Sequence, residues 1–204
     1  MASDLNNLAA LYRSQGQYVQ AELLFKHSLA IYEKALGPNH PDVAQSLSNL
    51  GALYVNQGQY AQAEPLLKRS LVIREKVLDP NHPGVAESLN NLALLYSSQG
   101  QYAQAEPLYK RALAIDEKTL GPNHPYVAGD LNDLAKLYYS QSQYTQAEPL
   151  YKRALEIREK TRGPDHPDVA ATLNNLASLY RKTGRDTEAD PLEARAARIL
   201  NLKR

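Results

Sequence analysis

Four histidines stand at one fixed spacing and are the first residues in this sequence whose chemistry asks for an explanation. They occur in GPNHPDVA, DPNHPGVA, GPNHPYVA and GPDHPDVA, once every 42 residues. Imidazole nitrogens bind zinc and transfer protons. A zinc ion, however, needs several ligands around one point, and stacked helices lie about 8–10 Å apart. The residue two positions after each histidine also changes, from aspartate to glycine to tyrosine. We therefore expect no metal and no catalysis at His40, His82, His124 and His166.

The prolines on either side of each histidine predict a structural role instead. Proline at the first helical position has a preset φ and needs no partner for an N–H group. Helices are therefore predicted to begin at Pro41, Pro83, Pro125 and Pro167. The earlier proline of each motif is expected to end the preceding helix. The histidine is then the residue immediately before a helix.

The 42-residue period organises the whole chain of 204 residues. Residues 37–78 and 79–120 are identical at 29 of 42 positions. A fixed period of this length is typical of solenoids, in which each repeat buries its apolar face on the next. The sequence predicts a single all-α solenoid domain over residues 1–204. Its five repeats are 1–36, 37–78, 79–120, 121–162 and 163–204.

Each repeat carries two helical patterns, so ten helices are expected. In the second repeat the first pattern is Val43, Leu47, Leu50 and Tyr54, one stripe at 3.6 residues per turn. A glycine between the two patterns suits the left-handed turn that ends a helix. The fourth repeat has Ser142 at that position, which predicts a strained turn there.

Composition excludes several classes of function. The formal net charge is +1, and the charges of the five repeats in chain order are 0, +1, −2, +1 and +1. A uniform basic surface for nucleic acid or an anionic membrane is therefore not expected. There is no cysteine, which fits a reducing compartment. The start of the chain lacks the pattern of a signal peptide. We expect a cytoplasmic protein without a cofactor, and no motif of a phosphate loop or an activated nucleophile indicates an enzyme.

Several positions of each repeat resemble the tetratricopeptide (TPR) signature. In the second repeat they are Leu47, Leu50, Gly51, Tyr54, Ala63, Leu67 and Ser70. The 42-residue period, HPDVA and AEPLYKRALEI are similar to the repeats of kinesin light chain. The resemblance implies a right-handed superhelix of helix-turn-helix repeats. It also implies a concave groove, lined by the first helices, that binds extended peptides.

Polar residues beside the leucine and tyrosine stripe are the candidate groove residues. Asparagine offers both donors and an acceptor to a peptide backbone. We expect acidic ligand side chains near Arg181 and Lys182, and a small or basic one near Asp133. The leucine that follows the shared asparagine position, Leu8 in the first repeat, is expected to be buried. The candidates are Asn7, Asn49, Asn90, Asn91, Asn132, Asp133, Lys136, Asn174, Asn175, Arg181 and Lys182.

Three alternatives remain open at the level of sequence. The asparagines could pair with neighbouring helices and have only a structural role. The repeat ends could self-associate, which would make the chain a self-assembling structural module. Helical repeats can also bind single-stranded RNA, but the charges of the repeats argue against a basic groove.

Overall fold

The computed structural model describes residues 1–201, and within them the chain forms ten α-helices and no strand. This confirms the all-α solenoid prediction with two helices in each repeat. None of the helices in this range is long and apolar enough to cross a membrane. The helices are α1 (Ala2–Ser14), α2 (Tyr18–Leu36), α3 (Pro41–Asn56), α4 (Tyr60–Val77), α5 (Pro83–Ser98), α6 (Tyr102–Leu120), α7 (Pro125–Ser140), α8 (Tyr144–Arg162), α9 (Pro167–Lys182) and α10 (Asp186–Asn201).

The chain divides into two compact units, Met1–Leu108 and Tyr109–Arg204. In the first unit, α1 pairs with α2 and α3 with α4, and α2 and α4 pack on the next first helix, α3 and α5. In the second unit, α7 pairs with α8 and α9 with α10, and α8 packs on α9. Each helix pair therefore stacks on the following one within its unit.

The apolar stripes predicted from the 3.6-residue period form the core. Val43, Leu47, Leu50 and Tyr54 of α3 are all buried, with at most 4% exposed surface. In the first unit Val43 and Leu47 pack with Ile73 of α4. Burying one such side chain contributes about 1.5–3 kcal/mol relative to leaving it exposed. The tyrosines that end the stripes belong to the core, as predicted.

In α3, α5 and α9 the tyrosine also joins its repeat to the preceding one. Its hydroxyl donates a hydrogen bond to a glutamate near the start of the preceding second helix. The pairs are Tyr54 with Glu22 at 2.9 Å, Tyr96 with Glu64 at 3.4 Å, and Tyr180 with Glu148 at 3.2 Å. The same glutamates pair with the lysine four residues later, Lys26, Lys68 and Lys152.

The turn between the two helices of a repeat has the left-handed backbone that its glycines predict. Gly16, Gly58, Gly100 and Gly184 have φ values of 71–74°. Ser142 adopts φ 58° and is the only residue other than glycine with a positive φ among residues 1–201. The fourth repeat therefore keeps the turn although a side chain makes it unfavourable.

Replacing Ser142 with glycine should stabilise the protein slightly. A left-handed backbone costs an L-residue roughly 1–2 kcal/mol in the folded state, and glycine avoids this cost. Glycine also has more conformational freedom in the unfolded chain, which offsets part of the gain in stability. We expect a net gain of about 0.5–1 kcal/mol in the free energy of unfolding, measured by urea denaturation. Gly58→Ser, the reverse change in the second repeat, is the matched control and should lower stability. A clear loss in Ser142→Gly would mean that the hydroxyl makes a needed contact.

Candidate functional site

The four histidines are N-caps of first helices, and their side chains are the capping groups. In each case Nδ1 accepts a hydrogen bond from the backbone N–H two residues later. The donors are Asp42 at 3.2 Å, Gly84 at 3.0 Å, Tyr126 at 3.2 Å and Asp168 at 3.2 Å. Because the donor is a backbone group, the side chain at that position is free to vary. Residues 1–201 contain no group of three or more histidine, aspartate or glutamate side chains placed to hold a metal ion.

Replacing His82 with alanine should cost stability, because it removes the acceptor for the Gly84 N–H. Loss of a capping side chain lowers the free energy of unfolding by about 0.5–2 kcal/mol. His82→Asn supplies another acceptor and should recover most of this. His82 suits the test because Gly84 has no side chain to compensate. If urea denaturation gave the same loss for both variants, the imidazole would act through packing and not through its cap.

A surface cleft lies between the first helices of the last two repeats, in the second unit. Its volume is about 340 Å³. It is open to solvent along one side of α7 and α9, and α8 contributes one residue. The lining residues are Lys136, Tyr139, Ser140, Tyr151, Asn175 and Ser178. Two of the candidates from the sequence, Lys136 and Asn175, therefore come together in one cleft.

A chain of polar side chains connects the two first helices at this cleft. Asn175 of α9 donates its amide to Asn132 Oδ1 of α7 at 2.9 Å. Asn132 donates to Asp133 Oδ1 at 3.2 Å, and Lys136 Nζ lies 3.3 Å from the same oxygen. Asn132 is only 4% exposed. Its side chain joins α7 to α9, and its predicted role in ligand binding stays a prediction.

Tyr151 is the one lining residue of the cleft that comes from a second helix. Its side chain is 2% exposed, and it lies on α8 where Phe25 and Leu67 stand in the first two repeats. Burial raises the pKa of Tyr151, and nearby Tyr139 and Asp133 raise it further. The phenol therefore stays protonated and can donate. The sequence indicated a core position here, and only the change from Phe25 and Leu67 to tyrosine signalled a polar group.

The basic end of α9 differs from the sequence expectation. Arg181 contacts three carboxylates of α10, Asp186 at 3.1 Å, Asp190 at 2.5 Å and Glu193 at 2.7 Å. These hydrogen bonds raise the pKa of the Arg181 guanidinium, and the bond to Glu193 has the largest effect. Three carboxylates of the same chain therefore already occupy Arg181, and its predicted contact with an acidic ligand side chain stays a prediction. Lys182 is exposed and makes no ion pair with residues 1–201.

The other candidate asparagines lie on first helices but not in this cleft. Asn7 and Asn174 are exposed, whereas Asn49, Asn90 and Asn91 are partly buried. In the first unit, Asn49 Oδ1 accepts a hydrogen bond from Gln45 of the same helix at 3.3 Å. Asn175 is the one member of the shared asparagine position for which the structure gives a hydrogen bond to a neighbouring first helix, through Asn132 of α7.

Comparison with known proteins places these repeats in a family. The model of the family described as Tetratricopeptide repeat matches residues 1–76 and 129–201, and the Nephrocystin-3 TPR domain matches residues 58–162. No curated protein is similar enough to be counted as a relative.

Solved structures agree with this assignment. A putative kinesin light chain from Podosopora anserina with nearly identical TPR-like repeats has 30% identity and a TM-score of 0.77, covering 99% of this chain and 96% of its own. A variant of that protein gives 31% identity, a TM-score of 0.78 and coverages of 97% and 93%. BtubC (BKLC) from P. vanneervenii has 28% identity and a TM-score of 0.82, and the match covers 98% of this chain and 80% of that one. The chain thus belongs to the tetratricopeptide-repeat family, its repeats are of the kinesin-light-chain-like type, and its fold is one that serves protein interaction.

Proposed function

We propose that this chain is a non-catalytic, cytoplasmic scaffold whose first helices bind an extended peptide segment of a partner protein. The observation that carries the proposal is the cleft between α7 and α9, where two helices of successive repeats bring hydroxyl, amide and ammonium groups to one surface. Such a mixture of donors and acceptors suits the alternating N–H and C=O groups of an extended backbone. The family assignment supports the same role.

The charges near the cleft favour particular side chains in the partner. Lys136 is paired with Asp133, so this part of the cleft carries both signs. A small or basic side chain suits Asp133, and an acidic one suits Lys182. The Tyr151 hydroxyl makes no hydrogen bond within residues 1–201 and is free to donate to a peptide carbonyl.

The test begins with a peptide selected from a random library on the intact chain. Tyr151→Phe removes one hydroxyl from the cleft, and the double variant Asn49→Ala with Asn91→Ala removes two candidate amides. Each lost hydrogen bond should weaken affinity by about 0.5–1.5 kcal/mol, roughly 2- to 13-fold in Kd. Calorimetric titration gives the Kd, and thermal melting checks the fold.

Lys160→Ala is the control, because Lys160 is exposed on the second helix α8 and pairs only with Glu156 of the same helix. It should leave the Kd unchanged. If affinity stays constant in Tyr151→Phe and in the double asparagine variant, the first helices do not bind the peptide. A collapse of melting in the asparagine variant would assign those side chains to the structure.

A further inference from the structure

Helix α1 exposes apolar residues that the other first helices bury. Leu8 and Leu11 are 41% and 51% exposed. One repeat later, Leu50 and Leu53 are 3% and 0% exposed. The expectation that Leu8 is buried is therefore wrong, and the reason is local. Helix α2 packs on α3, but no helix of residues 1–201 packs in the corresponding place on α1.

The hydrogen-bonding groups of α1 show the same difference. Tyr12 occupies the position of Tyr54, Tyr96 and Tyr180, whose hydroxyls donate to glutamates of the preceding second helix. The Tyr12 hydroxyl makes no hydrogen bond within residues 1–201. Leu8, Leu11 and Tyr12, here called the α1 face, therefore present two apolar side chains and one donor to the surroundings.

The other repeats show what kind of helix covers such a face. The segments AELLF of α2, AEPLL of α4 and AEPLY of α8 share a glutamate followed three residues later by an apolar residue, Phe25, Leu67 or Tyr151. The glutamate accepts the tyrosine hydroxyl, and the apolar residue is buried. A helix with this pattern supplies both an apolar surface and the acceptor that Tyr12 needs.

Helix α10 of a second copy of this chain does not have that pattern. Its segment ADPLE places Glu193 where the other second helices have an apolar residue. Glu193 and Asp190 are both paired with Arg181 of the preceding helix. Docking α10 on the α1 face would bury a carboxylate against Leu8 and Leu11, at a cost of several kcal/mol.

We propose that the α1 face is a docking site for the second helix of a further tetratricopeptide-type repeat, one with the pattern Ala-Glu-x-Leu-apolar. The site is separate from the peptide cleft and does not depend on the proposed function.

The experiment uses a peptide with the sequence of residues 18–36, held helical by a hydrocarbon staple on its solvent side and labelled for fluorescence anisotropy. The peptide should bind the intact chain saturably. The double variant Leu8→Glu with Leu11→Glu should raise the Kd at least tenfold. Because both leucines are exposed, its melting temperature should match that of the unchanged protein. Val72→Glu, which alters an exposed apolar residue of α4, should leave the Kd unchanged.

A double-mutant cycle tests the hydrogen bond. Tyr12→Phe in the protein and Glu22→Gln in the peptide should each raise the Kd severalfold, and the two together should raise it little more than either alone. Absence of binding, or binding that the leucine variants leave unchanged, would overturn the proposal. So would a concentration-dependent dimer of the unchanged chain that is lost in Leu8→Glu with Leu11→Glu, because a second copy would then be the occupant.

Discussion

Replacing Arg74 with alanine is expected to lower the free energy of unfolding by about 2–4 kcal/mol. The Arg74 side chain is 4% exposed, and its guanidinium joins three helices. It donates to Gly84 O at 2.7 Å, Ser88 Oγ at 2.9 Å and Glu87 Oε2 at 3.1 Å of the α5 region, and also to Gln45 of α3. Alanine leaves these acceptors without their donor, and each one that water does not reach lowers the free energy of unfolding by about 1–3 kcal/mol. Glu87 is 45% exposed, so water takes over part of its hydrogen bonding.

Two variants separate the hydrogen bonds from the packing. Arg74→Met keeps most of the side-chain volume and should still lose well over half of the stability that alanine loses. Arg158→Ala changes the equivalent residue of the fourth repeat, which is only partly buried and donates to Thr172 Oγ1 and Asp168 O. It should cost less than Arg74→Ala in the same urea denaturation series. Equal stability of Arg74→Met and the unchanged protein would show that the network contributes nothing net.

Much of the fold could be predicted because prolines and glycines mark the helix boundaries in each repeat. First helices begin at Pro41, Pro83, Pro125 and Pro167 as expected, since proline fixes φ and the residue before it is kept out of the helix. The positive φ of Ser142 followed from its glycine counterparts. These features depend on local backbone geometry, which one repeat is enough to specify.

The contacts that the sequence could not predict are those that depend on a neighbouring helix. A helical period shows which side of α7 is apolar, but not that Asn175 covers Asn132. Likewise, the charge of Arg181 is visible in the sequence, whereas its pairing with α10 depends on how α9 and α10 pack. Asp79 stands where the loops after α2, α6 and α8 have glycine. Helix α4 ends at Val77, one residue before the position at which those three helices end.

The residue type at the position of Arg74 also distinguishes the repeats from one another. Arg74 contacts the next repeat, and the equivalent residues differ along the chain. The third repeat has Asp116 there, and the residue equivalent to Ser88 is Asp130. Both aspartates are 4% exposed, and their side chains are hydrogen-bonded to each other. Two carboxylates that share a hydrogen bond in a buried site cannot both ionise without a large cost, so we expect the pair to hold a proton.

Burial raises the pKa of Asp116 above its ordinary value, and the hydrogen bond from Asp130 and the charge of His124 only partly oppose this. Burial raises the pKa of Tyr109 in the same unit, and the charges of Asp133 and Asp130 raise it further. Its phenol therefore adds no charge. Because the folded state binds the proton more tightly than the unfolded chain, the stability from this proton is complete below the unfolded pKa of Asp116. It is lost as the pH rises through the raised folded pKa.

Asp116→Asn should therefore remove part of the pH dependence of stability. The amide donates to Asp130 at every pH, so no proton has to be retained. We expect the variant to be more stable than the unchanged protein at pH 8 by about 1–3 kcal/mol, the scale of a buried charged group without its partner, and nearly equal at pH 4.5. Urea denaturation across this range measures the difference. Asp133→Asn, a partly buried carboxylate already paired with Lys136, is the control and should not gain stability with rising pH. If the difference between Asp116→Asn and the unchanged protein were constant from pH 4.5 to 8, the Asp116–Asp130 pair would hold no additional proton in the folded state.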